Sequence, residues 1–230
     1  MQHANAVFLF DVDNTLLDND RVIADLRAHL ARDFGGTSAE HYWEIFEQLR
    51  SELGYADYLG ALQRYRAAVA ADDAAAHRLL SVSTFLIDYP FADRLYPRAL
   101  EVVARLGRLG PTVILSDGDV VFQPRKVKRS GLWDAVDGRV LIHVHKEQML
   151  ASVQRSYPAV RYVMVDDKLR ILTAMKAILG DRLVTVFPRQ GHYALDPANV
   201  ARYPAPDLSV DAIGDLLDCE QALVQLQETP

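Results

Sequence analysis

The stretch Val7-Phe8-Leu9-Phe10-Asp11-Val12-Asp13-Asn14-Thr15-Leu16-Leu17 decides how the chain is read. Its first four residues are an apolar run of β-branched and aromatic side chains, the composition of a buried strand, and the run stops on an aspartate. A second carboxylate follows two residues later. Side chains at i and i+2 of an extended segment share a face, and open α/β sheets bind ligands at the C-terminal ends of their strands. Asp11 and Asp13 can therefore work on one substrate. The same letters also read as a plain turn, with Asp and Asn capping a helix and Thr15 bonding locally. The rest of the chain has to decide between the two.

Outward from that stretch, four more apolar runs read as strands: Thr112–Leu115, Val140–Val144, Tyr162–Val165 and Leu183–Phe187. Such uninterrupted runs suit a sheet covered on both faces. Segments with helical spacing lie around 97–108, 122–130, 146–156 and 168–179, each followed by another strand. This alternation predicts an α/β fold with a doubly wound parallel sheet. The first interval is different, because a crossover needs far fewer than the ninety or so residues found there. Within it, Val22–Phe34, Ala39–Leu53, Ala56–Ala71 and Ala74–Leu86 read as amphipathic helices broken by Gly35-Gly36, Gly54 and Asp72-Asp73. The expected organisation is a core of residues 1–16 and 93–230 with an all-helical insert at 17–92. The tail from Pro188 to Asp207, with four prolines, reads as irregular chain, and Val210–Gln227 as one or two surface helices.

Composition narrows the function classes. A formal charge of −6 disfavours a non-specific grip on nucleic acid or anionic membrane, so an anionic substrate must be captured locally. The single cysteine, Cys219, excludes an internal disulfide. The apolar run Ala6–Phe10 is too short for a signal peptide, and no stretch reaches the roughly 18 apolar residues of a membrane span. A cytoplasmic protein is expected, with no nucleic-acid or membrane partner.

Further polar residues fall at the ends of the later strands. The second strand runs into Ser116-Asp117-Gly118-Asp119, a hydroxyl and glycine turn able to bond phosphate oxygens; the third is followed by Lys146, and the fourth by Asp166-Asp167. These residues resemble the four motifs of the haloacid dehalogenase superfamily. The matches are Phe8-Leu9-Phe10-Asp11-Val12-Asp13-Asn14-Thr15, Val113-Ile114-Leu115-Ser116-Asp117-Gly118, Lys146, and Val163-Met164-Val165-Asp166-Asp167. The resemblance spans Val7 to about Phe187, and the insert is similar to the family's helical cap of the first type.

The resemblance implies a role for each position. Asp11 is the nucleophile and a magnesium ligand, Asp13 the general acid/base and a ligand through its backbone carbonyl, and Thr15 a support for both. Ser116, with Asp117 and Gly118 beside it, holds a phosphoryl oxygen. Lys146 bridges nucleophile and phosphate, and Asp166 or Asp167 completes the metal shell. Physics also asks for a cation. Like charges ~4 Å apart at an effective dielectric near 20 repel by about 4 kcal/mol, so several converging carboxylates and a phosphate cannot all stay ionised unaided. Mg2+ suits an all-oxygen set better than zinc, since no Cys or His group shows ligand spacing; His143 and His145 lack a third partner.

One position departs from the family. Val165 precedes the first acid of the last motif, and no acid stands among Lys168 to Ile171, so the metal rests on the adjacent pair. Either Asp166 or Asp167 can be the direct ligand, and Asp167 can alternatively cap the helix at 168–179. Lys146 can also be read as a helix-surface lysine, although a cation at a helix start invites an anionic partner. The run Arg125–Arg129 reads as a solvated face, with Lys126 the reserve candidate for the site lysine.

Asp13 bears on the reaction. In dehalogenases of the superfamily the matching position lacks an acid, because halide leaves without a proton. The phosphonate-hydrolysing branch uses a cap lysine, and residues 16–95 contain none. The expected function is a magnesium-dependent phosphatase acting on a small phosphorylated metabolite through an aspartyl-phosphate. A phosphomutase and a non-catalytic binding member are the alternatives. The aromatic pairs Tyr42/Phe46 and Tyr58/Tyr65 fall at helical spacing and read as packing within the insert, and its arginines read mostly as solvated. Substrate identity and the choice between monomer and homodimer have no local signature.

Overall fold

The computed structural model describes residues 4–69, 73–219 and 221–223, with side chains left aside at 73–76. Six strands form one parallel sheet: β1 (Ala4–Phe10), β2 (Thr112–Asp117), β3 (Val140–His143), β4 (Ala159–Val165), β5 (Leu183–Pro188) and β6 (Leu208–Val210), in the order β3-β2-β1-β4-β5-β6. β1 lies at the centre, with Phe10 paired to Ile114 on one side and Val165 on the other. The chain moves from β1 to β2 and β3 on one side, then crosses to β4 on the other. The order therefore reverses beside β1, and a crevice opens at the carboxyl ends of β1, β2 and β4.

The period of two explains both halves of the core. Val7 and Leu9 of β1 join Val113, Leu115, Tyr162 and Met164 under the helices α8 (Leu150–Ser156) and α9 (Leu169–Leu179). Phe8 and Phe10 face the other way, against α5 (Ala99–Leu106), α6 (Phe122–Arg129) and the helices that follow β1. Between β1 and β2 come α1 (Asn19–Phe34), α2 (Gly36–Leu53), α3 (Tyr58–Ala68) and α4 (Asp73–Asp88). Each of the first three buries one stripe at helical spacing, for example Val22, Leu26 and Leu30 on α1. Asp18 and Asp57 begin α1 and α3 by accepting the backbone N–H of Arg21 and Gly60. Tyr42, Trp43, Phe46, Tyr58 and Tyr65 of the insert are buried, and this aromatic set continues into the rest of the molecule. Phe46 stacks on Tyr58 at 4.7 Å, and Tyr58 meets Phe122 of α6 at 5.3 Å. Entry and exit of the insert run side by side, with Asp18 N–H bonded to the Arg94 carbonyl and Tyr96 N–H to that of Leu16.

Several details differ from the sequence reading. The sheet has a sixth strand where irregular chain and a helix start were expected: β6 pairs with β5 through Phe187–Ser209. A three-residue edge strand has no apolar run to reveal it. It is placed by Asp207, whose carboxylate accepts the backbone N–H and hydroxyl of Thr185 while its own N–H bonds back to that hydroxyl. Two short helices, α10 (Gly191–Leu195) and α11 (Pro197–Val200), also occupy the proline-containing stretch, and α7 (Leu132–Ala135) lies between α6 and β3. The predicted helix at 146–156 is split into a 3-10 turn at Lys146–Gln148 and α8. Ile213–Leu217 is a 3-10 turn, and the end of the expected closing helix lies outside the described residues. Among the described residues no helix is long and apolar enough to cross a membrane.

Candidate active site

The parallel sheet places the ends of β1, β4 and β5 at one level, with Asp11 N–H bonded to the Val165 carbonyl and Asp166 N–H to that of Val186, and β2 pairs with β1 on the other side. Asp11, Asp166 and Asp167 are buried there, each offering a carboxylate oxygen within 4.8 Å of the others. Lys146 enters from the turn after β3 and is 1% exposed. Its Nζ lies 2.5 Å from Asp11 Oδ1 and 2.7 Å from Asp166 Oδ2. Thr15 ties the two acidic strand ends together, accepting the Asp167 N–H at 3.0 Å and donating its hydroxyl to Asp11 Oδ2 at 3.3 Å.

Electrostatics follows from this burial. Burial opposes the charge on Lys146, but Asp11 and Asp166 outweigh it and hold the ammonium above its ordinary range. Burial pushes both Asp166 and Asp167 upward, and the neighbouring carboxylates add to it. Asp117 is also pushed up, to about 6, chiefly by burial, with Lys146 pulling the other way; its Oδ1 accepts the Lys146 N–H at 2.7 Å. Lys168 is raised despite its own burial by Asp167 and Asp11. Both carboxylate oxygens of Asp167 are buried without a hydrogen-bond partner, an arrangement that costs several kcal/mol unless a cation meets them. The donor set is all oxygen and anionic, and it fits a hard divalent ion such as Mg2+ held by the three carboxylates.

Asp13 lies apart from that cluster. Its carboxylate turns to α6, where Lys126 Nζ is 2.7 Å from Oδ1 and Gln123 Nε2 is 3.3 Å from Oδ2. Gln123 also donates to Ser116 Oγ at 3.0 Å, so the hydroxyl after β2 and the second aspartate share one amide. Gly118 makes room for it: a Cβ there would lie 2.8 Å from that of Gln123. Asp11, Asp13, Thr15, Ser116, Asp117, Gly118, Lys146, Asp166 and Asp167 thus stand around one strand-end crevice. All but Asp13, Asp117 and Gly118 are buried.

Two expectations fail here. Lys126 is not on a solvated face; it is 1% exposed, because α6 turns that stripe under the insert. Asp167 does not cap α9, since it is Asp166 Oδ1 that accepts the Lys168 N–H at the helix start. Sequence reasoning also missed Gln123 and Lys168. The i, i+3 spacing of Gln123 and Lys126 puts them on one helical face, a signal visible in the sequence but without meaning until that face is known to point at Asp13.

The crevice opens into a cleft of about 740 Å3 between the strand ends and the insert. Trp43, Phe46 and Tyr58 line the insert side, and Lys168, Arg170 and His192 the other. Such a space admits a small ligand.

A family model of the haloacid dehalogenase-like hydrolases matches residues 6–178. No curated protein matches the chain. Among solved structures, a haloacid dehalogenase-like hydrolase of Burkholderia xenovorans LB400 is 62% identical over 96% of this chain and 99% of that one, with a TM-score of 0.88. The L-2-haloacid dehalogenase of Xanthobacter autotrophicus is 20% identical (95% and 99% covered, TM-score 0.60). A magnesium-bound hydrolase of Bacillus subtilis is 16% identical (94% and 98% covered, TM-score 0.60). At the last two identities the likeness is one of fold.

Proposed function

Because the chain belongs to the haloacid dehalogenase-like hydrolases, we propose that it is a magnesium-dependent phosphatase acting on a small phosphorylated metabolite. The observation that carries this reading is Asp13, a second carboxylate at the edge of the cleft, turned away from the acidic cluster and partly open to solvent. An alkoxide leaving group needs a proton and a halide does not, so a positioned carboxyl beside the nucleophile favours phosphoryl transfer. In the first step the Asp11 carboxylate bonds to phosphorus while the ester P–O bond breaks, its electron pair going to the leaving oxygen, which takes a proton from Asp13. In the second, Asp13 takes a proton from water, whose oxygen attacks phosphorus and frees Asp11 with inorganic phosphate. Lys146 offsets the charge of Asp11 and, beside it, that of the transferred group. Ser116 supplies a hydroxyl donor at the end of β2. Asp11, Asp166 and Asp167, with the Asp13 carbonyl, would hold Mg2+, which would supply charge neutralisation to the phosphate oxygens. The insert, residues 17–92, acts as the cap that selects the substrate and excludes water.

The test is hydrolysis of p-nitrophenyl phosphate with magnesium, with chelator, and by Asp11→Asn, alongside chloride release from 2-chloropropionate. Magnesium-dependent phosphate release that vanishes in Asp11→Asn is the expected result. Undiminished activity in that variant, or chloride release as the main activity, overturns the reading.

A further inference from the structure

Lys126 is a buried cation that the mechanism above does not use. Its ammonium has two partners on different parts of the chain: Asp13 Oδ1 at 2.7 Å and Asn19 Oδ1, at the first turn of α1, at 3.0 Å. Gln123, one turn earlier on the same helix, holds the other oxygen of Asp13 and reaches Ser116. The Asp13 side chain is 26% exposed while that of Lys126 is 1% exposed, so the lysine supports the carboxylate from below and leaves its outer side to the cleft. Tyr58 of the insert packs close enough to feel the charge of Asp13 and bonds to Asn19, which brings the insert to the same spot.

We infer that Lys126 is a positioning residue for the general acid/base, aiming the Asp13 carboxyl at the leaving oxygen and linking that aim to the insert through Asn19. This rests on the phosphatase reading and deepens it. Lys146 serves the nucleophile and Lys126 the proton carrier, so each aspartate of the β1 end has its own buried lysine. A surface lysine would lose rotamer freedom for little return, whereas a buried ammonium with two oxygen partners is fixed. Nothing in this geometry asks Lys126 to touch the transferred phosphoryl group, which separates its role from that of Lys146.

The consequence is a dependence on the leaving group. p-Nitrophenolate departs without a proton, while phenolate departs far better with one. General acid catalysis contributes about 10²–10⁴-fold, and a misaimed acid forfeits part of it. Lys126→Met is therefore expected to lose about tenfold more kcat on phenyl phosphate than on p-nitrophenyl phosphate. Lys126→Arg should recover part of the difference, and Asp13→Asn should show the same selectivity more strongly. Asn19→Ala, which removes the second hydrogen bond of Lys126 together with the Tyr58 contact and leaves the charges in place, should show it more weakly and keeps the test available if Lys126→Met fails to fold. A uniform loss on both esters in Lys126→Met and Asn19→Ala, with the selectivity kept in Asp13→Asn, overturns the positioning role and leaves the phosphatase reading standing. No magnesium-dependent hydrolysis of either ester by the unaltered protein overturns both.

Discussion

Asp167→Asn isolates what the acidic cluster costs the fold. The three carboxylates place oxygens within 4.8 Å of one another. At that separation and an effective dielectric near 20, each like-charged pair repels by about 3.5 kcal/mol. Asp167 faces two such partners, and Lys146 and Lys168 offset part of the repulsion, leaving a net strain of about 1–3 kcal/mol in the metal-free protein. Burial, with Asp166 and Asp11 adding to it, holds the Asp167 carboxyl well above the ordinary range, so folding takes up a proton. The cost is absent below the unfolded value near ~3.9 and grows as pH rises toward the folded one. Asn keeps the shape and removes the charge. With chelator at neutral pH, the variant should unfold about 1–3 kcal/mol later in urea, or roughly 3–10 °C higher on heating, and the gain should shrink toward about pH 4. With magnesium the order reverses: the unaltered protein gains about 4.1 kcal/mol at a thousand times its dissociation constant, and the variant gains little. An Asp167→Asn protein that is less stable than the parent in chelator, or that keeps the full magnesium gain, refutes the account.

Two further predictions concern the crevice and its base. Gly191 has φ +72°, and a Cβ there would lie 2.4 Å from that of Asn14, whose side chain bonds to Asp20 beside His192. Gly191→Ala should destabilise by about 2–4 kcal/mol in urea unfolding, against about 1–2 for Gly180→Ala, which shares the positive φ but meets nothing within 4 Å; equal losses would show that the approach to Asn14 does not matter. Asp117, pushed by burial to about 6, takes up a proton on folding, so its cost is absent below about pH 4 and fully present above about pH 6. Stability of the chelated protein should accordingly fall between those limits, and Asp117→Asn should flatten that part of the profile.

The parts of this protein legible in the sequence are those written in contiguous residues. Val7–Phe10, Thr112–Leu115 and Tyr162–Val165 are apolar runs too uniform for anything but strands buried on both faces, and the alternation with helices then leaves few topologies. The polar residues at the strand ends could be placed in one crevice because a parallel sheet aligns its carboxyl ends. What the sequence did not carry depends on contacts between distant segments. β6 is held by Asp207 and Thr185 and not by any apolar pattern of its own. Lys126 stands in a run of cations that reads as solvated, and only the packing of α6 against the insert buries it beside Asp13. Asp166 and Asp167 are neighbours that the sequence could not separate. The turn after β4 gives Asp166 to Lys146 and the start of α9 and leaves both oxygens of Asp167 without a partner. Local propensity sets where strands and helices form, and the desolvation of each charge is decided only when those elements close over it.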